Sequence, residues 1–249
     1  MSVTRLQFPS QLGSYAIKVK EGDPWHTYDT LRLEISVGQD YHEGEKFSCT
    51  IDWAKARFRN IVVLCNDTLQ RYNFSLNSQH DPEYFHKQTE QDGLDWLERN
   101  QQSLTGTKVI HWDHWLTHSE FDSALKCARD TYRENTHFKS AVDQSISSVY
   151  ERRIKRNLIE PHQKDRFHKL SLDYLMEETA CLALAYKSHP GISAYPGSFL
   201  EMWRMFVDQE TPQALIGLSN SHCIRIDFAK RKSEKASASP QTIYHAAYG

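Results

Sequence analysis

The sequence has no CxxC pair, although it holds five cysteines in 249 residues. Cys49, Cys65, Cys127, Cys181 and Cys223 are scattered and odd in number. That argues against a disulfide scaffold and points to a reducing, cytoplasmic setting. Long apolar runs are also missing. The longest, around Ala180 to Tyr186, is far too short to span a membrane, and the opening MSVTRLQFPSQLG lacks the apolar stretch of a secretory signal. No membrane association is expected. Nor is there an excess of charge: 30 basic residues stand against 32 acidic ones, a formal net charge of −2. This excludes a protein that coats nucleic acid through bulk charge, but not one with a local basic patch. No P-loop or GxGxxG turn offers a phosphate cradle, no GxSxG marks a hydrolase elbow, and no HExxH marks a zinc helix.

What is present suits a folded domain. Apolar residues make up 39 % and aromatics 12 %, enough for a sizeable core. β-rich stretches at Tyr15–Lys20, Leu31–Val37, Asn60–Asn66, Lys108–Trp112 and Cys223–Ala229 alternate with helical patterns. Phe47, Ile51, Ala54 and Phe58 share one helical face, as do Phe121, Leu125 and Ala128. Pro82 suits the first turn of a helix running to about Gln101, with Gly93 a weak point inside it. From Ser119 to Tyr186 the pattern is almost wholly helical. Strands spaced by helices predict an α/β sandwich with a mostly parallel sheet. One domain over residues 1–229 is expected, followed by a polar, flexible tail over 230–249.

Three constellations carry chemistry. In ISVGQDYHEGEKF (Ile35 to Phe47), Ser36 ends an apolar strand, where open α/β sheets place their ligands. The plainer alternative is a serine that caps a turn. In DYLMEE, Tyr174 and Glu178 are four apart and share a helix face, so a phenol and a carboxylate converge. The CLALAY run that follows implies deep burial, and a buried carboxylate needs a partner such as an α-amino group. The alternative is a surface Glu177/Glu178 pair at a helix end. In SHPGISAYPGS (Ser188 to Ser198), Tyr195 precedes Pro196 and is held extended, able to cover a pocket or simply to form a turn.

Two weaker signals remain. His111, Asp113, His114 and His118 resemble metal ligands, but 13 histidines make chance clusters common, and no metal is expected. Between Val149 and Leu170, seven basic residues outnumber three acidic ones, leaving +4 and a candidate phosphate-binding patch at Arg152, Arg153, Lys155 and Arg156. A solvated helical face is the alternative.

Taken in this order, the three constellations resemble the tRNA-dependent cyclodipeptide synthases. The resemblance runs from about Thr30 to Phe206: a strand-end serine followed by HEGEKF, a helix with Trp53-Ala54 and Arg57-Phe58, Tyr-x-x-x-Glu, then Tyr-Pro-Gly. Tyr195-Pro196, and Gln39 where another subfamily has an asparagine, resemble the subfamily marked by a Tyr-Pro pair. The resemblance implies a Rossmann-like domain similar to the catalytic domain of class I aminoacyl-tRNA synthetases, here without their HIGH and KMSKS signatures. It implies two aminoacyl-tRNAs as substrates, no cofactor, no DNA partner and a monomer. Ser36 would carry an aminoacyl ester, and Tyr174 and Glu178 would hold the α-amino group. Tyr195 would act in cyclisation, with Gln39 and Pro196 beside the site. Tyr132 is the candidate for one further tyrosine on a mid-chain helix. A serine hydrolase and a non-catalytic tRNA- or amino-acid-binding module are the competing readings, although the hydrolase lacks an identifiable Ser–His–acid set. On the strand reaching Ser36, alternation puts Arg32 and Glu34 on the serine's face, which suggests a polar substrate such as glutamate paired to Arg32; the alternative is that both side chains reach solvent or each other.

Overall fold

Apolar alternation on the strand that carries Ser36 decides how the two layers form. In the computed structural model, which describes residues 14–219 and 221–231, this strand is β2 (Thr30–Ile35). Leu31, Leu33 and Ile35 point to one face and are at most 2 % exposed, so Arg32 and Glu34 point to the other. The first face is covered by α1 (Gly44–Lys55) and α3 (His86–Leu104). Phe47, Ile51, Ala54 and Phe58 all bury there, as their spacing predicts. The second face carries α5 (Phe121–Glu134), α6 (Thr136–Lys155), α7 (Lys164–Ser188) and α8 (Glu201–Val207). Two short helices, α2 (Arg71–Ser75) and α4 (Asp113–Leu116), complete this side.

Six strands form one mixed sheet in the order β1-β6-β5-β2-β3-β4. β2, β3 (Asn60–Cys65), β4 (Lys108–His111), β5 (Ile192–Tyr195) and β6 (Cys223–Lys230) are parallel. β1 (Tyr15–Gly22) pairs antiparallel with β6 at the edge. The chain steps outward from β2 to β3 and β4 through α1 and α3, then crosses back over the other face to β5 on β2's opposite side. The strand order therefore reverses between β2 and β5, which opens a crevice at their carboxyl ends. This is a Rossmann-like α/β sandwich.

Two features correct the sequence reading. SHPGISAYPGS is not only a loop: four of its residues are β5, a central strand whose partners β2 and β6 lie far away in sequence. The helix expected from Pro82 begins as a 3-10 turn (Pro82–Phe85) and becomes α-helical only at His86. Gly93 is not a weak point. A Cβ there would overlap the Asp67 side chain, so the glycine permits close packing of α3 on the β3–α2 connection. No helix among the described residues is long and apolar enough to cross a membrane. The tail expected to be flexible lies, beyond Arg231, outside the described residues.

Candidate active site

The site is built by two polar stripes that face each other. On β2 the stripe is Arg32, Glu34 and, just past the strand, Ser36. On α7 it is Tyr174, Glu178, Leu182 and Tyr186, spaced four apart and therefore on one helical face. At the closed end the stripes interlock. The Arg32 guanidinium lies 3.7 Å from the centre of the Tyr186 ring, and the Tyr186 hydroxyl donates to Glu34 Oε1 at 2.7 Å. Ser193 Oγ, on β5, also donates to Glu34 Oε1 (2.7 Å) and accepts from Arg32 Nε (3.1 Å). At the open end a cavity of about 140 Å³ is lined by Glu34, Ser36, Tyr174, Glu178 and Tyr195, with Leu200 and Trp203 as its apolar wall.

Ser36 is positioned through its backbone. It opens a tight turn in which the Gln39 amide donates to the Ser36 carbonyl (3.2 Å), and Gly38, at φ +86°, supplies the left-handed residue. The Ser36 amide donates to Nδ1 of His42 at 2.9 Å. His42 is buried, and burial lowers its pKa from 6.5 to about 4, so the ring is a neutral acceptor. Trp96 Nε1 donates to the His42 carbonyl (2.8 Å) and ties this turn to α3. Among the described residues no histidine bonds to Ser36 Oγ, which removes the support for a Ser–His hydrolase arrangement.

Glu177 and Glu178 are not a surface pair. Both are buried in the middle of α7, and because the helix turns about 100° per residue they reach different surroundings. Glu177 is held by Arg71 (2.9 and 2.5 Å), Tyr72 (2.8 Å) and Trp112 (2.9 Å), which locks α7 onto α2 and the end of β4. Glu178 faces the cavity and accepts one hydrogen bond, from Trp203 Nε1 at 3.2 Å. Burial, with repulsion from Glu34, raises its pKa to about 8. Burial likewise pushes the phenols of Tyr174 and Tyr195 up, which keeps both neutral. The Tyr195 hydroxyl lies 3.0 Å from that of Tyr41.

Of the residues singled out in the sequence, Ser36, Tyr174, Glu178 and Tyr195 come together. Pro196 follows Tyr195 but is not part of the cavity lining, and Gln39 is solvent-exposed, touching the site only through the Ser36 turn. Tyr132 does not come in. Its hydroxyl donates to Asp143 at 2.7 Å on the outer side of α5 and α6; the tyrosines added to the neighbourhood are Tyr41, Tyr72 and Tyr186. Arg32 is fully buried behind Glu34, bonded to Ser193 and the His189 carbonyl, and does not line the cavity, whereas Glu34 does. That removes the basis for a substrate glutamate on Arg32. Arg152, Lys155 and Arg156 are exposed, whereas Arg153 turns inward, donates to Asn73 (2.8 Å) and lines a second cavity of about 170 Å³. The two cavities share Tyr174 and Leu200 as their common wall. The i,i+4 continuation to Leu182 and Tyr186 is a sequence signal that would have extended the site; Trp203 and Asn66 carry none.

The histidine cluster disperses. Asp113 bonds to Thr68 (2.6 Å) and His86 (2.8 Å), while His111 pairs with Asp67 at 2.5 Å. Cys65, Asp67 and His111 do bring ligand atoms within 4.8 Å of one another. Burial keeps the Cys65 thiol protonated, and the Asp67 bond raises the pKa of His111. The trio is arranged as a histidine–carboxyl hydrogen bond beside a thiol.

A Rossmann-like domain with serine, glutamate and tyrosine around a cavity at its switch point defines the class of this molecule. Comparison with solved structures narrows the fold: it is that of the cyclodipeptide synthases. A cyclodipeptide synthase from Fluoribacter dumoffii superposes with a TM-score of 0.77 at 23 % identity, covering 87 % of this chain and 100 % of that one. The synthase from Candidatus Glomeribacter gigasporarum, solved bound to Phe-tRNAPhe, gives 0.63 at 19 % identity over 87 % and 93 %. A Mycobacterium tuberculosis protein, described as demonstrating that cyclodipeptide synthetases are related to type I tRNA synthetases, gives 0.62 at 8 % identity over 86 % and 94 %. No protein-family model matches the chain, and no curated protein matches it by sequence.

Proposed function

We propose that this protein joins two aminoacyl groups, delivered as tRNA esters, into a cyclodipeptide. The observation that carries the reading is the convergence of Ser36, Tyr174, Glu178 and Tyr195 on one cavity in a fold shared with cyclodipeptide synthases. Ser36 Oγ attacks the ester carbonyl of the first aminoacyl-tRNA. The new Oγ–C bond replaces the bond to the terminal ribose, and the serine proton leaves on the ribose hydroxyl. One ester replaces another, so positioning rather than a strong base does most of the work. Tyr174 and Glu178 hold the α-amino group.

That amino group then attacks the carbonyl of the second aminoacyl-tRNA, forming an amide and releasing the second ribose hydroxyl. Finally the free amine of the dipeptidyl ester attacks its Ser36 linkage, which closes the ring and restores the serine. Each attack must remove a proton from an amine with a pKa of about 8. Glu178, with a pKa of about 8, is matched to accept it and to pass it to the leaving oxygen. Tyr195 sits over the same cavity and serves the cyclisation step. The second cavity, sharing Tyr174, takes the side chain of the second residue. The exposed Arg152, Lys155 and Arg156 contact tRNA phosphates. The Tyr195-Pro196 pair supports assignment to the Tyr-Pro subfamily.

The test is acid-quenched intact-protein mass after mixing with one radiolabelled aminoacyl-tRNA and no ATP, alongside product analysis with two. Label should stay on the wild type and be absent from Ser36→Ala, which should also make no diketopiperazine. Label on the alanine variant, or a strict need for ATP, overturns the reading.

A further inference from the structure

The proposed acyl transfers pass through tetrahedral intermediates whose carbonyl oxygen becomes negative beside Ser36, and something must face that charge. In many serine nucleophile sites backbone amides do so. Here the amides of Ser36 and Asn66 are engaged. The Ser36 amide donates to His42 Nδ1, and the Asn66 amide donates to the Ile35 carbonyl at 2.8 Å.

The side chain of Asn66 is not engaged. β2 and β3 are parallel, with Ile35 opposite Cys65, so the next step along both strands sets Asn66 beside Ser36. Neighbouring strands run about 4.8 Å apart, and residues in register share a face. Val62 and Leu64 place β3's even-numbered residues on the α7 side, where Glu34 and Ser36 also point. Asn66 is 2 % exposed and lines the Ser36 cavity. Its Oδ1 is buried without any hydrogen-bond partner, and its Nδ2 makes no hydrogen bond among the described residues. A buried amide oxygen left without a partner costs stability. Folding gains nothing from either end, whereas a substrate in the cavity offers an oxygen to accept from Nδ2 and an amine to donate to Oδ1.

Resting on the cyclodipeptide reading, we propose that the Asn66 side-chain amide is a catalytic residue that donates to the oxyanion formed at the carbonyl bonded to Ser36 Oγ. It acts in acylation and again when the dipeptidyl ester closes. The carboxamide suits the task because it is neutral and belongs to a side chain only 2 % exposed, where a hydrogen bond to a developing charge is worth more than in water. His42 completes the arrangement by withdrawing the serine's own amide from competition.

The assay is single-turnover acylation of the protein by one labelled aminoacyl-tRNA, followed across substrate concentration for wild type, Asn66→Ala and Asn66→Asp. Thermal unfolding of each variant is measured in parallel. The saturating rate should fall about 10²–10³-fold in Asn66→Ala with the half-saturating concentration nearly unchanged. Asn66→Asp, which sets a carboxylate against the oxyanion, should fall at least as far. Unfolding midpoints should not drop in Asn66→Ala, because no hydrogen bond is lost. A rate within threefold of wild type in Asn66→Ala overturns the assignment. So does a change confined to the half-saturating concentration, which would make Asn66 a ground-state contact. If Asn66→Ala fails to fold, the amide has a structural role and the assignment also fails. An unlabelled wild type would instead overturn the cyclodipeptide reading itself, and this assignment with it.

Discussion

Replacing Glu178 with glutamine isolates the energetic consequence of placing a carboxyl group in the Ser36 cavity. The variant keeps an acceptor for Trp203 Nε1, the hydrogen bond that Glu178 receives at 3.2 Å, and removes only the titration. In the unfolded chain Glu178 releases its proton near 4.5; in the folded protein burial and Glu34 delay release to about 8. Between those values the folded state binds the extra proton, so rising pH weakens folding. The contribution is fully present below pH 4.5 and is lost as pH passes through about 8. At about 1.4 kcal/mol per unit, the shift corresponds to at most about 5 kcal/mol. Urea unfolding of wild type and Glu178→Gln at pH 5, 6.5 and 8 reads the difference directly, because all other titrations are common to both proteins. Relative to wild type, the variant should gain stability steadily as pH rises, approaching that limit. Diketopiperazine formation should fall about 10²–10⁴-fold, since an amide cannot relay a proton. A stability difference that does not vary with pH would refute the argument that Glu178 is desolvated and forced to carry its proton.

Three further outcomes follow from the geometry. His42, held neutral by burial with a pKa near 4 against an ordinary 6.5, contributes stability that is full above pH 6.5 and lost as pH falls towards 4, up to about 3 kcal/mol; this acid-sensitive component should vanish in His42→Asn, and parallel unfolding profiles at pH 7 and 4.5 would contradict it. Gly38→Ala has open space for its methyl group but forces a side chain into φ +86°, so chemical denaturation should show a loss of about 1–2 kcal/mol, with slower Ser36 acylation; unchanged stability would mean that the turn relaxes freely. Changing the exposed Arg152, Lys155 and Arg156 together to alanine should weaken tRNA binding and reduce the slope of log affinity against log salt by about 2–3, whereas an unaltered slope would return this stretch to a solvated face.

Short-range pattern made much of this protein legible. Period-two alternation placed Leu31, Leu33 and Ile35 in the core and Arg32, Glu34 and Ser36 on the opposite face, because a strand's side chains alternate whatever lies beside it. Helical spacing joined Tyr174 to Glu178, and the CLALAY run announced their burial, because apolar residues on all sides of a helix leave no solvated face. Long-range pairing decided the rest. Four residues between two Pro-Gly pairs became the central strand β5 only because β2 and β6 supply hydrogen-bond partners from 161 and 30 residues away, as in Arg32↔Ser193 and Ser193↔Cys223. That strand creates the switch point, and without it Ser36 is a serine at a turn. Packing likewise separated Glu177 from Glu178, turned Arg153 inward, sent Tyr132 to Asp143 and put Asn66 beside Ser36. None of these has a local signature, since a polar residue's role depends on which distant side chain meets it after folding. Sequence alone determined the faces of each element; the order in which six strands lie side by side determined which faces meet and where a substrate can enter.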